Sequence, residues 1–120
     1  MLKTVRIRHF LDETAPFSCL IPTRFADVDW NGHINNVATA QIIEDARTRF
    51  SDWMGLLTPA SAEVRYLTAS LQVDYVGEAY YPQPYAVHAA VSAIGTASWS
   101  YILSARQDGR VVAAAFISYA

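Results

Sequence analysis

Apolar residues recur at spacings of three and four through the first half of the chain: Val37, Ala38, Ile42, Ala46, Phe50 and Trp53. That period predicts one amphipathic helix over residues 36 to 54, with Asp45 and Arg49 placed to pair at i,i+4 on its other side. Asn35 or Asn36 is the candidate N-cap, because a short side-chain oxygen can accept from a first-turn amide, and Gly55 suits the C-terminal stop. Downstream the period falls to two. Leu67, Ala69, Leu71, Val73 and Tyr75 alternate with polar residues, and so do Tyr85 to Ala93 and Trp99 to Ala105 as half-buried strands would. Gln107-Asp108-Gly109-Arg110 carries an Asp-Gly hairpin turn into a last strand over residues 111 to 119. A further strand is expected over residues 18 to 25. The order strand, helix, then about four strands predicts an α+β domain built on an antiparallel sheet.

One helix covers only one face of such a sheet. Yet in the last strand both alternating sets are apolar: Val111, Ala113, Ala115 and Ile117 on one side, Val112, Ala114 and Phe116 on the other. Either the sheet curls tightly or a second subunit covers the rest. An apolar face of that extent favours the subunit, so a homodimer or homotetramer is expected.

With 120 residues the chain has the size of a single domain, 1–120. The formal charge of -2 provides no global basic field, which argues against nucleic acid as a partner. A lone Cys19 rules out an internal disulfide framework and a Cys-rich zinc site and fits a reducing compartment, so cytoplasm is the expected location. The start, Met1 to Arg8, interleaves charge with apolar residues and lacks the apolar core of a signal peptide. The most apolar run, Tyr85 to Ala97, is broken by His88, Ser92 and Gly95 and falls short of the roughly 20 residues that span a bilayer, so no membrane is expected.

Against 52% hydrophobic and only 17% charged residues, one stretch stands apart: Asp27-Val28-Asp29-Trp30-Asn31-Gly32-His33-Ile34-Asn35-Asn36, immediately before the helix. Asp29, Asn31 and His33 recur at every second position, and Gly32 with the asparagines supplies residue types that tolerate a sharply turned backbone. A carboxylate can activate water or attack a carbonyl, and helix N-terminal amides near Asn35 to Val37 can hold an oxyanion. The competing account is that Asp29 and Asn31 are turn and cap residues that satisfy the loop backbone. A metal held by Asp27, Asp29 and His33 lacks a further His or Cys partner nearby, so no metal or other cofactor is expected.

The segment Arg24 to Asn36, followed by Glu44-Asp45-Ala46-Arg47, resembles the signature of the hotdog-fold acyl-CoA and acyl-ACP thioesterases. These include the 4-hydroxybenzoyl-CoA thioesterase group and the plant fatty acyl-ACP enzymes. The likeness extends over nearly the whole chain, with Ile94 to Ser98 resembling the family's strand turn. It implies a hotdog fold, an antiparallel sheet of about five strands wrapped around one long helix, in dimers with active sites at the subunit interface. It also implies Asp29 as nucleophile or general base, with Asn31 and His33 serving beside it, and it matches Glu44 to a helix carboxylate of the family. Two departures stand out. Thr39 occupies a position where the family commonly has tyrosine, which opens space beside the helix, and Pro82-Gln83 stands where many members carry Gly-Asp.

The expected activity is therefore hydrolysis of an acyl-CoA or acyl-ACP thioester, with Asp29, Asn31 and His33 as catalytic residues. Trp30, Asn35, Asn36, Val37, Thr39 and Glu44 are the candidate substrate-binding residues. Arg6, Arg8, Arg65, Arg106 and Arg110, among eight arginines and one lysine, are candidates for phosphate contacts. His9 and His88 read as surface or strand-face residues. Two rival readings stand beside it: the same fold carrying out dehydration or hydration of an acyl thioester, and a non-enzymatic acyl-binding or assembly module.

Overall fold

The computed structural model describes residues 11–57 and 67–120. Arg6, Arg8, His9, Arg65 and the reading of the first eight residues lie outside the described residues. The element order is β1 (Phe17–Ile21), a single 3-10 turn (Phe25–Asp27), α1 (Asn36–Trp53), β2 (Thr68–Tyr75), β3 (Tyr85–Ile94), β4 (Trp99–Gln107) and β5 (Arg110–Tyr119). All neighbouring strands are antiparallel, in the order β1-β3-β4-β5-β2, and α1 lies chiefly on β1, β3 and β4. This is the α+β hotdog arrangement of one long helix against a five-stranded antiparallel sheet.

The helix ends where its caps place it. Asn35 Oδ1 accepts from the Ala38 amide at 2.8 Å. At the other end Gly55 adopts φ 83°, its amide donates to Asp52 O at 2.9 Å and that of Leu56 donates to Ser51 O at 2.9 Å. These two bonds form a Schellman stop, which needs the left-handed conformation that glycine takes without strain. The buried face is rotated from the expected one: Ala38, Thr39, Ile43, Ala46, Phe50 and Ser51 face the sheet, while Val37 is 70% exposed and Trp53 is exposed too. The physical reason is the pair of hydroxyls. Thr39 Oγ1 bonds Tyr85 Oη at 2.7 Å and Ser51 Oγ bonds Tyr101 Oη at 2.8 Å, so two polar side chains are buried at no unmet cost and fix the helix on β3 and β4.

The sheet's inner face carries Tyr85, Val87 and Ala89 from β3, Tyr101, Leu103 and Ala105 from β4, and Ala113, Ala115 and Ile117 from β5, all fully buried. Leu71, Val73 and Tyr75 of β2 share that face through their pairing with Ile117, Ala115 and Ala113, as the alternation predicts. However, β2 is an edge strand that α1 does not cover, and Leu71 and Tyr75 each remain 40% exposed. The outer face is partly covered by the chain itself. The Leu11 amide donates to the buried Ser104 Oγ at 2.7 Å, and Arg106 Nε and Nη2 donate to Leu11 O.

The end of β1 and the alternation within β5 differ from the sequence expectation. The first strand stops at Ile21 instead of reaching Phe25, because Pro22 offers no amide for a ladder and the chain then folds into the 3-10 turn closed by Asp27 N to Arg24 O and the Arg24–Asp27 ion pair. In β5 a bulge opposite Ala105 and Arg106 breaks the simple alternation and turns Val112 inward. The Asp108-Gly109 hairpin turn is as expected, with φ 49° and 77° as a type I′ turn requires.

Candidate active site

The loop before α1 is a tight hairpin built around one carboxylate. The Asp29 amide donates to His33 O at 2.8 Å and the Gly32 amide to Asp29 O at 3.0 Å, with Gly32 at φ 83°. Inside the turn, Asp29 Oδ1 accepts from the amides of Asn31 at 2.9 Å and His33 at 3.3 Å. One carboxylate oxygen is thus spent on the loop and the second is left for other partners. The hairpin is moored at both sides: Ile34 N donates to Ala79 O, and Asn35 N and Nδ2 both donate to Asp27 O. Asp27 itself is tied to Arg24, whose hydrogen bond holds its carboxyl below the usual range. Asp27 and Asn35 therefore act as scaffold.

This mooring brings Asp29, Asn31 and His33 onto one cavity of about 280 Å3, lined also by Ile34, Asn36, Thr39, Tyr75, Gly77, Glu78, Ala79 and Val112. The cavity sits at the N-terminus of α1. Among the described residues nothing accepts from the amides of Asn36 and Val37, which stand at the positive end of the helix dipole. Thr39 lines the cavity with its hydroxyl bonded to that of the buried Tyr85, whose pKa burial raises. Tyr75 donates from its hydroxyl to Asn36 O at 3.0 Å, tying the edge strand to the first turn of the helix.

Glu78 is the site residue that sequence reasoning missed. Its Oε2 lies 3.3 Å from His33 Nε2 and accepts from the Tyr80 hydroxyl at 2.5 Å. The available signal was Gly77-Glu78 directly after the alternating strand. At Gly77 a Cβ would meet Val111 O at 3.2 Å, a crowded contact where the chain folds against β5.

Other candidates fall elsewhere. Trp30 is 98% exposed and outside the cavity, because the turn that points Asp29 and Asn31 inward sends the intervening side chain out. Val37 is exposed beside the rim, and Asn35 is the cap. Glu44 does not line the cavity and pairs with Arg47 at 2.5 Å. Arg106 is occupied by Leu11 O and Gly109 O, and Arg110 lies 5.6 Å above the Tyr80 ring. Among the described residues no three His, Cys, Asp or Glu side chains converge as a metal site, and no helix is long and apolar enough to cross a membrane.

A family model for the thioesterase-like superfamily matches residues 23–118, which takes in every element from the site loop to the last strand. The chain belongs to the thioesterase-like superfamily. Solved structures agree with that placement. The PA5185 protein from Pseudomonas aeruginosa strain PAO1 is 28% identical, with a TM-score of 0.77 over 89% of this chain and 76% of that one. A predicted thioesterase from Bacillus stearothermophilus is 29% identical, with a TM-score of 0.73 over 86% of this chain and 77% of that one. A thioesterase from Thermus thermophilus, solved with coenzyme A and Zn, shares the fold at 23% identity, with a TM-score of 0.76 over 90% of this chain and 80% of that one. No curated protein matches the chain. Membership of the thioesterase-like superfamily supports thioester hydrolysis as the general class of reaction.

Proposed function

We propose that this thioesterase-like chain hydrolyses an acyl thioester of coenzyme A or acyl carrier protein to the free acid and thiol, in the cytoplasm. The observation that carries the reading is the convergence of Asp29, Asn31, His33 and Glu78 on one cavity at the N-terminus of α1. The oxygen of Asp29 not bonded within the loop is the base that draws a proton from water, or the nucleophile itself. The oxyanion formed on attack meets the amides of Asn36 and Val37, preorganised donors whose loss in comparable sites costs about 10²–10³ in rate. Collapse breaks the carbon–sulfur bond, and the departing thiolate takes the proton that Asp29 drew from water; with Asp29 as nucleophile, water then cleaves the acyl–Asp29 anhydride, releasing the free acid and supplying the thiol's proton. His33, paired with Glu78, and Asn31 orient the water and the thioester.

The working unit is proposed to be a homodimer, with tetramers as pairs of dimers. Trp30 at 98% exposure, the exposed Val37 next to the cavity residue Asn36, and the part-exposed Leu71 and Tyr75 of edge strand β2 are apolar groups that a second copy would remove from water. Sedimentation of the purified protein should give twice the mass of one chain or more, and a stable monomer that turns over would refute this.

The reaction is tested by thiol release across short, long and aromatic acyl-CoAs and acyl-ACPs, followed in parallel by enoyl absorbance. Thiol release from at least one acyl class is expected. A change in enoyl absorbance without thiol would favour hydration or dehydration instead. Heat stabilisation by a thioester without any product would favour a binding module.

A further inference from the structure

The segment from Val76 to Pro84 joins edge strand β2 to β3 without regular structure, yet it carries Glu78 into the site. Its backbone polar groups need partners from outside any ladder. Val112 O and Ile34 N serve Val76, Gly77 and Ala79, and at Tyr80 and Gln83 the partner is Gln107, the last residue of β4 and only 1% exposed: its Oε1 accepts from the Tyr80 amide at 2.8 Å, and its Nε2 donates to Tyr80 O at 2.9 Å and Gln83 O at 3.0 Å. Both amide hydrogens and the carbonyl of the side chain are used. Gln107 thus holds Tyr80 by its backbone much as a neighbouring strand would.

Fixed in this way, the Tyr80 ring stands edge-on to the His33 imidazole, with centroids 5.5 Å apart and planes at 84°. The Arg110 guanidinium covers the ring at 5.6 Å. The hydroxyl donates to Glu78 Oε2, the same oxygen that faces His33 Nε2. That carboxylate is more than half exposed, and without a fixed donor it would sample several rotamers in water. The bond to Glu78 also raises the pKa of the Tyr80 hydroxyl, which keeps it a donor.

We propose that Tyr80, pinned by Gln107, is a positioning residue: its hydroxyl fixes the Glu78 carboxylate, and Glu78 in turn holds His33 in the tautomer that carries its proton on Nε2. The kinetic part rests on the thioesterase reading above, and the structural part does not. Tyr80→Phe keeps the ring contacts with His33 and Arg110 and removes only the hydroxyl. It should lower kcat about tenfold, which corresponds to ~1.4 kcal/mol, with KM within about twofold and an unchanged Tm. In a Glu78→Ala background the same substitution should have no further effect, because the interaction it removes is already gone. An unaltered kcat in Tyr80→Phe, or effects that simply add in the double variant, would overturn the proposal.

Two measurements on the resting protein test it without turnover. Nitrogen-15 NMR of the imidazole should show His33 as the Nε2-protonated tautomer in the wild type and a mixture in Tyr80→Phe, and an unchanged tautomer ratio would refute the relay. Hydrogen exchange should find the Tyr80 amide protected although it lies outside any strand, and exchange as fast as an open loop would remove Gln107 from it. Should the tautomer shift appear while no thioester is hydrolysed, the thioesterase reading falls and the positioning role stands. Should thiol release be robust while Tyr80→Phe changes nothing, only the positioning role falls.

Discussion

Replacing Asn35 with alanine removes the residue that joins the site loop to the helix. Asn35 Oδ1 caps the Ala38 amide at 2.8 Å, and Nδ2 donates to Asp27 O at 3.0 Å. Losing an N-cap of this kind costs about 1 kcal/mol. Losing the second, part-buried bond adds roughly 1 kcal/mol, since the Asp27 carbonyl keeps only the Asn35 amide as donor. For a domain of this size about 2 kcal/mol corresponds to a fall in Tm of roughly 8 °C, read by calorimetry. Asn35→Asp keeps the acceptor and loses only the donor, so it should fall by about half as much. Activity should drop more than stability implies at a temperature where both proteins are folded, because the two unpartnered amides of the first turn shift with the loop. An Asn35→Ala protein that melts within a degree of the wild type and turns over normally would refute this account of how the loop is held.

Three further outcomes follow from the buried and paired groups. Thr39→Val leaves the Tyr85 hydroxyl buried without its partner and should cost about 1–3 kcal/mol in denaturant unfolding, with Tyr85→Phe on top recovering part of the loss. Tyr119 has its pKa pushed up to about 12 by burial, from 10.0. Its contribution to stability is therefore whole below pH 10 and lost as pH rises toward 12; Tyr119→Phe should flatten that alkaline loss, though Tyr85 and Tyr75, shifted the same way, will leave a remainder. The carboxyl of Asp27 is held below 3.8 by Arg24, so the destabilisation in Arg24→Ala should be present at neutral pH and disappear as pH falls below that value, as thermal melts across the acid range would show.

Much of the architecture is legible in the sequence because its signals are local. The helix carries its own caps at Asn35 and Gly55, β2 to β5 carry a period of two, and Asp108-Gly109 dictates its turn. The buried helix face is misplaced by a part of a turn because Thr39 and Ser51 count as polar in any pattern, whereas tyrosines from strands some 50 residues away satisfy them. The end of β1 is misjudged because a 3-10 turn held by an Arg24–Asp27 pair has no periodic signature. In the candidate site, the alternation of Asp29, Asn31 and His33 is visible in the sequence and one hairpin brings all three to the cavity, but the roles proposed for them come from the resemblance to the thioesterases and not from spacing. Glu78 is not readable in this way, because it reaches His33 only through the pairing of β2 with β5 and the hold of Gln107 on Tyr80. The outward turn of Trp30 is likewise set by the hairpin's bonding and not by residue type.

The central claim is that Asp29 supplies the reacting carboxylate while also holding its own loop. Asp29→Asn separates these roles, because an asparagine Oδ1 still accepts from the amides of Asn31 and His33 and only the charge is lost. Measured by thiol release on whichever acyl thioester the wild type cleaves best, the variant should melt as the wild type does and lose about 10³-fold in kcat, ~4 kcal/mol of transition-state stabilisation. A correctly folded Asp29→Asn protein that retains near wild-type hydrolysis would contradict the claim.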